Sequence, residues 1–87
     1  MKTIKQIEVK IAKISKDVDN KMGEKAFANL SGKSDALFWA RGSTEEEIRK
    51  YIKEIKQDMK YMIEKGVAYW NGKIQILQWV LGSKEAN

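Results

Sequence analysis

The 87-residue chain has no cysteine, no histidine and no proline, and its only arginines are Arg41 and Arg49. Without cysteine there is no disulfide framework and no thiolate chemistry. Without histidine it lacks the commonest metal ligand and the usual general base near neutral pH. No serine or lysine sits in a pattern that would activate it as a nucleophile. The expectation is therefore a protein that is not an enzyme, with no metal site and no cofactor. No apolar run approaches the ~20 residues of a membrane span. Lysines interrupt the isoleucines that follow Met1-Lys2, so no signal-peptide core is present. An intracellular, cytoplasmic protein without a membrane partner is the default expectation.

What is present describes one small globular domain over residues 1–87. Hydrophobic residues make up 43% and charged residues 33%, a balance that suits a packed core rather than disorder. A chain of this length buries only about 60–65% of its unfolded surface, so its stability is modest or shared with a partner. The net charge of +5 is unevenly spread. Residues 1–33 carry eight lysines against Glu8, Asp17, Asp19 and Glu24, whereas residues 34–66 are balanced. Lysine is a hydrated point charge and lacks the planar fork with which arginine reads phosphates and guanines. This excess favours a solvated face over a nucleic-acid footprint. The compact, lysine- and isoleucine-leaning character suits a small adaptor or inhibitor of viral or mobile-element origin.

The stretch from Ser43 to Gly66 gives the firmest local reading. Ile48, Ile52, Ile55, Met59, Met62 and Ile63 recur at spacings of three and four, one stripe along a helix. Ser43 with Glu46, or Thr44 with Glu47, forms a capping box at its start. Glu45, Glu46 and Glu47 suit the positive end of the helix dipole, with Lys60 and Lys65 near the negative end. Gly66 is read as the stop. The spacing thus predicts a central helix over 43–66.

Upstream, Ile4, Ile7, Ile11, Ile14 and Val18 follow a three-four spacing that predicts an amphipathic helix within 1–22. The alternation of Ile7, Val9 and Ile11 supports a strand less well. Gly23 interrupts the chain, and Ala26, Phe27 and Leu30 suggest a short helix closing at Ser31-Gly32. A further turn from Ser34 carries Ala36, Leu37, Phe38, Trp39 and Ala40, read as a core connector beneath the longer helices.

Downstream, Asn71-Gly72 between apolar residues is a strong hairpin signal, because both positions of a type I′ turn need positive φ. A hairpin with strands 67–70 and 73–81 pairs Tyr69 with Ile74 and Val67 with Ile76 on a core face. Trp70, Lys73, Gln75, Leu77 and Trp79 then fall on the outer face. Residues 82–87 read as a frayed tail.

Motifs with chemistry fail on inspection. Ser31-Gly32-Lys33-Ser34 ends like a phosphate-binding loop, but Phe27 stands where the first glycine belongs and no strand precedes it. Asp17-Val18-Asp19-Asn20-Lys21-Met22 starts like a calcium loop, with lysine at the fifth position and methionine in place of the glycine. Asn29-Leu30-Ser31 fits a glycosylation acceptor in a chain that nothing exports. Ser43 to Leu81, read as a long helix followed by strand–Asn-Gly–strand, resembles the last third of a winged helix-turn-helix domain. That resemblance implies DNA binding through Arg49, Lys50, Lys53, Lys56, Lys60 and Lys73. Glu45, Glu46 and Glu47 at the helix start, and Glu54 and Asp58 along it, oppose phosphate contact.

The sequence therefore predicts a small α+β domain of two longer helices, a short apolar connector helix and a C-terminal β-hairpin. Its expected role is non-catalytic protein interaction, with a protein partner or a homo-oligomer. Trp70, Lys73, Gln75, Leu77 and Trp79 form the expected partner face, and Ile4, Ile7, Ile11 and Ile14 form a candidate oligomer seam.

Overall fold

The structure, a computed structural model, describes residues 1–18, 23–62 and 64–82, with Glu64 and Lys65 described by backbone alone. All regular structure among the described residues is helical: α1 (Ile4–Val18), α2 (Glu24–Ala40), α3 (Glu45–Asp58), a 3₁₀ turn (Met59–Tyr61) and α4 (Glu64–Val80). The smallest extent, 20 Å, corresponds to two layers of helices about 10 Å thick each. No described helix is long and apolar enough to cross a membrane.

The β-hairpin expected over 67–81 is not formed, and the fold is all-α among the described residues. Residues 64–80 are one helix that runs through both Gly66 and Gly72. The central helix expected over 43–66 instead ends at Asp58, and Gly66 does not stop it. No residue from Gly66 to Val80 is exposed, so α4 is the inner helix of the domain. Its apolar face is wide, which blurs the helical period. Asn71, Gln75 and Gln78, at spacings of four and three, form the one polar stripe.

Gly72 serves helix contact rather than a turn. A Cβ there would lie 2.1 Å from the Asn29 carbonyl oxygen, and one at Gly32 would lie 2.0 Å from the Tyr69 carbonyl oxygen. Each glycine thus turns a Cα–H towards a carbonyl of the other helix, a weak hydrogen bond that only a bare Cα permits. Small residues recur at spacing four along α2 (Ala28, Gly32, Ala36, Ala40) and start the facing row of α4 (Ala68, Gly72), which Ile76 and Val80 continue. Asn29 reinforces the crossing by donating from Nδ2 to the Ala68 carbonyl (3.2 Å) and to Gln75 Oε1 (3.4 Å).

The two short helices expected between Ala26 and Ala40 are therefore one continuous helix, kept unbroken because Gly32 is at the crossing. Ala36, Leu37 and Ala40 are core, as expected, whereas Phe38 and Trp39 are exposed. Ser31 to Ser34, which end like a phosphate-binding loop without its first glycine, lie in the middle of α2. Of the calcium-like stretch, residues 19–22 lie outside the described residues, as do Ile63 and residues 83–87 of the tail.

Helix α1 packs Ile7 and Ile14 into the core, with Ile11 and Val18 against it. Its start is a second capping box: the Thr3 amide donates to Gln6 Oε1 (2.9 Å) and the Gln6 amide to Thr3 Oγ1 (3.2 Å). The Lys2 amide donates to the Val80 carbonyl at 2.6 Å, joining the chain start to the end of α4. That end closes at Gly82, whose φ of +106° is left-handed. At α3 it is Thr44 that pairs with Glu47 in the box. The Ser43 hydroxyl faces back and donates to the Trp39 carbonyl at the end of α2 (2.9 Å). Ile48, Ile52 and Ile55 bury the stripe of α3.

Helix and hairpin demand opposite behaviour from Asn71. In a helix, Asn71→Ala should be neutral or stabilise by about 0.5 kcal/mol, whereas a type I′ turn would be weakened by it. Gly72→Ala should destabilise by about 2 kcal/mol despite the better helix propensity, because the methyl group must force α2 and α4 apart. Urea unfolding followed by circular dichroism measures both; a destabilising Asn71→Ala would argue for the turn.

Candidate binding surfaces

The five residues expected on one outer face are divided by the helix. Trp70, Lys73 and Leu77, at spacings of three and four, share one side of α4, while Gln75 and Trp79 lie round towards another. Leu77 is fully buried at 0% exposure and belongs to the core. Trp70 and Trp79 are half-buried against that core. Gln75 is half-buried and accepts the Asn29 hydrogen bond. The expected seam is also divided: Ile7 and Ile14 are buried, Ile11 packs on the core, and Ile4 is exposed.

Lys73 organises the first surface. It leaves α4 towards α3, and its Nζ donates to the Tyr51 hydroxyl at 3.1 Å. The ammonium also lies 4.4 Å from the Trp70 ring centre, 4.9 Å from Tyr69 and 5.6 Å from Tyr51. These distances are within reach of the attraction between a cation and an aromatic face. The Trp70 ring meets Tyr69 edge-on at 5.5 Å. The Tyr69 hydroxyl donates to the Asp35 carboxylate on α2. Trp39, one turn further along α2, packs its ring against Tyr51 at 4.6 Å. Helices α2, α3 and α4 are thereby linked through side chains around a cleft of about 530 Å³. Its walls carry Asp35, Glu47 and Glu54 against Lys50 and Lys73, with Trp39 and Tyr51 as the aromatic rim.

The protonation states follow from these contacts. Burial pulls the Lys73 pKa down, but the Tyr51 hydrogen bond and the charges of Tyr51 and Tyr69 together outweigh it, and the net shift is upward. The Tyr69 hydroxyl is raised first by burial and then by its bond to Asp35. At the rim, the Thr44 amide holds the Glu47 carboxyl below its usual range through the capping box. Arg49 does the same for Glu45 through a hydrogen bond and its charge, across an ion pair of 2.7 Å. A lysine that keeps its proton is a fixed cation and a poor nucleophile. Among the described residues no three carboxylates gather to hold a metal ion.

Lys50, Lys53 and Lys56 of α3 and Lys60 of the 3₁₀ turn are exposed. Exposed Glu54 and Asp58 interleave with them, and Arg49 is paired with Glu45. The wing that a winged-helix domain would add is missing, because its residues are α4. Trp39, Tyr51, Asp35 and Tyr69 were not legible as a group, since no spacing relates residues on three helices. Phe38-Trp39 was visible only as part of an apolar run. Comparison with protein-family models, with curated proteins and with solved structures finds no match.

The raised Lys73 and Tyr69 pKa values make a prediction about alkaline stability. Both groups hold their protons more tightly folded than unfolded, so their contribution is complete below their ordinary values of 10.5 and 10.0. It is lost as pH rises through the raised values. Urea midpoints should therefore decline above about pH 10, and Tyr69→Phe, which removes one raised group and one of the causes that raise Lys73, should make that decline shallower. An unchanged alkaline slope in the variant would contradict the coupling.

Proposed function

We propose that the chain is a non-catalytic protein-interaction module whose partner docks on the cleft between α2, α3 and α4, with Trp39 as anchor. The observation that carries this reading is the state of Trp39. It is 40% exposed at the cleft rim, yet its ring is packed against Tyr51, which Lys73 in turn fixes by a hydrogen bond. An exposed aromatic held in one orientation loses little freedom on binding, and tryptophan is the commonest type of residue to dominate an interface. Phe38, 52% exposed on the same turn with Arg41 over its ring at 5.6 Å, extends the aromatic surface.

Charge supports a protein partner as well. The cleft presents carboxylates and ammonium groups together, which suits the mixed charges of a protein surface better than a uniform phosphate backbone. The lack of histidine and cysteine, and a Lys73 that stays protonated, support binding over catalysis. Because most of the isoleucine seam is used inside the subunit, a different protein is favoured as partner over a second copy joined through α1.

The test is affinity capture from the source cells after nuclease treatment, with the wild type beside Trp39→Ala and Phe38→Ala. The wild type should retain a protein that binds the purified chain directly. Trp39→Ala should weaken that binding by about 2 kcal/mol or more while the circular dichroism spectrum is kept. A folded Trp39→Ala with unchanged binding, or retention that nuclease abolishes, would overturn the reading.

A further inference from the structure

We propose that a second groove, between α1 and Trp79, binds an acidic peptide segment carrying an apolar anchor side chain. The groove has a volume of about 400 Å³ and shares no residue with the Trp39 cleft. Val9 and Trp79 are its apolar surface, and Lys5, Lys10 and Lys13 stand around them. Val9 is 64% exposed, which nothing in the packing of α1 requires. The apolar seam of the helix is filled by Ile7, Ile11 and Ile14 on its other side.

Among the described residues that line this groove, the charged side chains are all lysines. At about 100° per residue, Lys5, Lys13 and Lys16 of α1 all lie within about 40° of Val9, and Lys10 lies about 100° away. The helix carboxylates Glu8 and Asp17 lie about 100° and 80° to either side of Val9. The ammonium groups of Lys2 and Lys10 sit 5.2 Å and 5.1 Å from the centre of the Trp79 ring. A ligand here needs carboxylates for Lys5 and Lys13 and an apolar group for the Val9–Trp79 surface. A peptide with one leucine or aromatic residue between acidic residues supplies both.

The other anionic partners fit less well. A nucleic acid would meet no arginine on this flank, and a base would have to displace the ammonium groups from Trp79 before stacking on it. A membrane surface needs an aromatic or long apolar side chain that projects into it. Trp79 is instead half-buried against the core, at the wall of a concavity.

The test is the fluorescence anisotropy of a labelled peptide with a single leucine flanked on both sides by glutamates, titrated with the full chain. Saturable binding is expected. Replacing the leucine by serine, Val9→Asp in the protein, or the pair Lys5→Glu and Lys13→Glu should each weaken it about tenfold or more. Lys53→Glu with Lys56→Glu on α3, and Trp39→Ala, should leave it within about twofold, which separates this groove from the cleft above. No saturable binding, or equal binding of the serine peptide, would overturn the proposal. So would tighter binding of phosphatidylserine vesicles or single-stranded DNA through Lys5 and Lys13.

Discussion

The structure depends on the contact between the backbones of α2 and α4 at Gly32 and Gly72. Each glycine costs its helix about 1 kcal/mol relative to alanine, and the chain has one at the crossing point of both. What the pair provides is proximity. With no Cβ on either side, the carbonyls of Asn29 and Tyr69 reach the facing Cα atoms, and both rows of side chains interlock over several turns. Ala36, Leu37 and Ala40 of α2 close over Ile74, Ile76, Leu77 and Val80 of α4 as one core.

Both surfaces inherit their geometry from that crossing. The same register puts the Tyr69 hydroxyl on Asp35 and aims Lys73 at Tyr51 of α3, which holds Tyr51 where Trp39 packs on it. At the other end of α4, Trp79 is carried to the flank of α1, and the Lys2 amide bonds to the Val80 carbonyl. One inner helix thus carries an aromatic–lysine cluster at its middle and a tryptophan wall at its end, facing different neighbours. The charges of the two surfaces follow this division. The cleft mixes both signs, and the α1 groove is surrounded by lysine.

The parts legible in the sequence were those where one period dominates. Ile48, Ile52 and Ile55 stood out because the rest of α3 is charged, and Thr44 with Glu47 marked its start. Ile7, Ile11 and Ile14 did the same for α1. The C-terminal segment failed for a physical reason. A helix buried on most sides has too few polar residues to display its period, and Asn71, Gln75 and Gln78 are only three. Asn71-Gly72 then looked like a turn, since a glycine needed for positive φ and one needed for close approach are the same letter. The four-residue rows of Ala28, Gly32, Ala36, Ala40 and of Ala68, Gly72 were the signal that distinguishes the two. Of the surface residues, Trp70, Lys73 and Trp79 were singled out as the outer face of a hairpin that does not form. Their true neighbours, Tyr51, Trp39 and Val9, are set by the tertiary contact.

The most direct test of the account is a nuclear Overhauser spectrum of the folded chain at the helix crossing. The missing Cβ of Gly32 would lie 3.4 Å from the Lys73 amide nitrogen, so the Gly32 Hα that takes its place should give a strong cross-peak to the Lys73 amide proton. Residues 67–80 should show sequential amide–amide contacts typical of a helix. Absence of the Gly32–Lys73 peak, together with cross-strand contacts between Tyr69 and Ile74, would contradict the account.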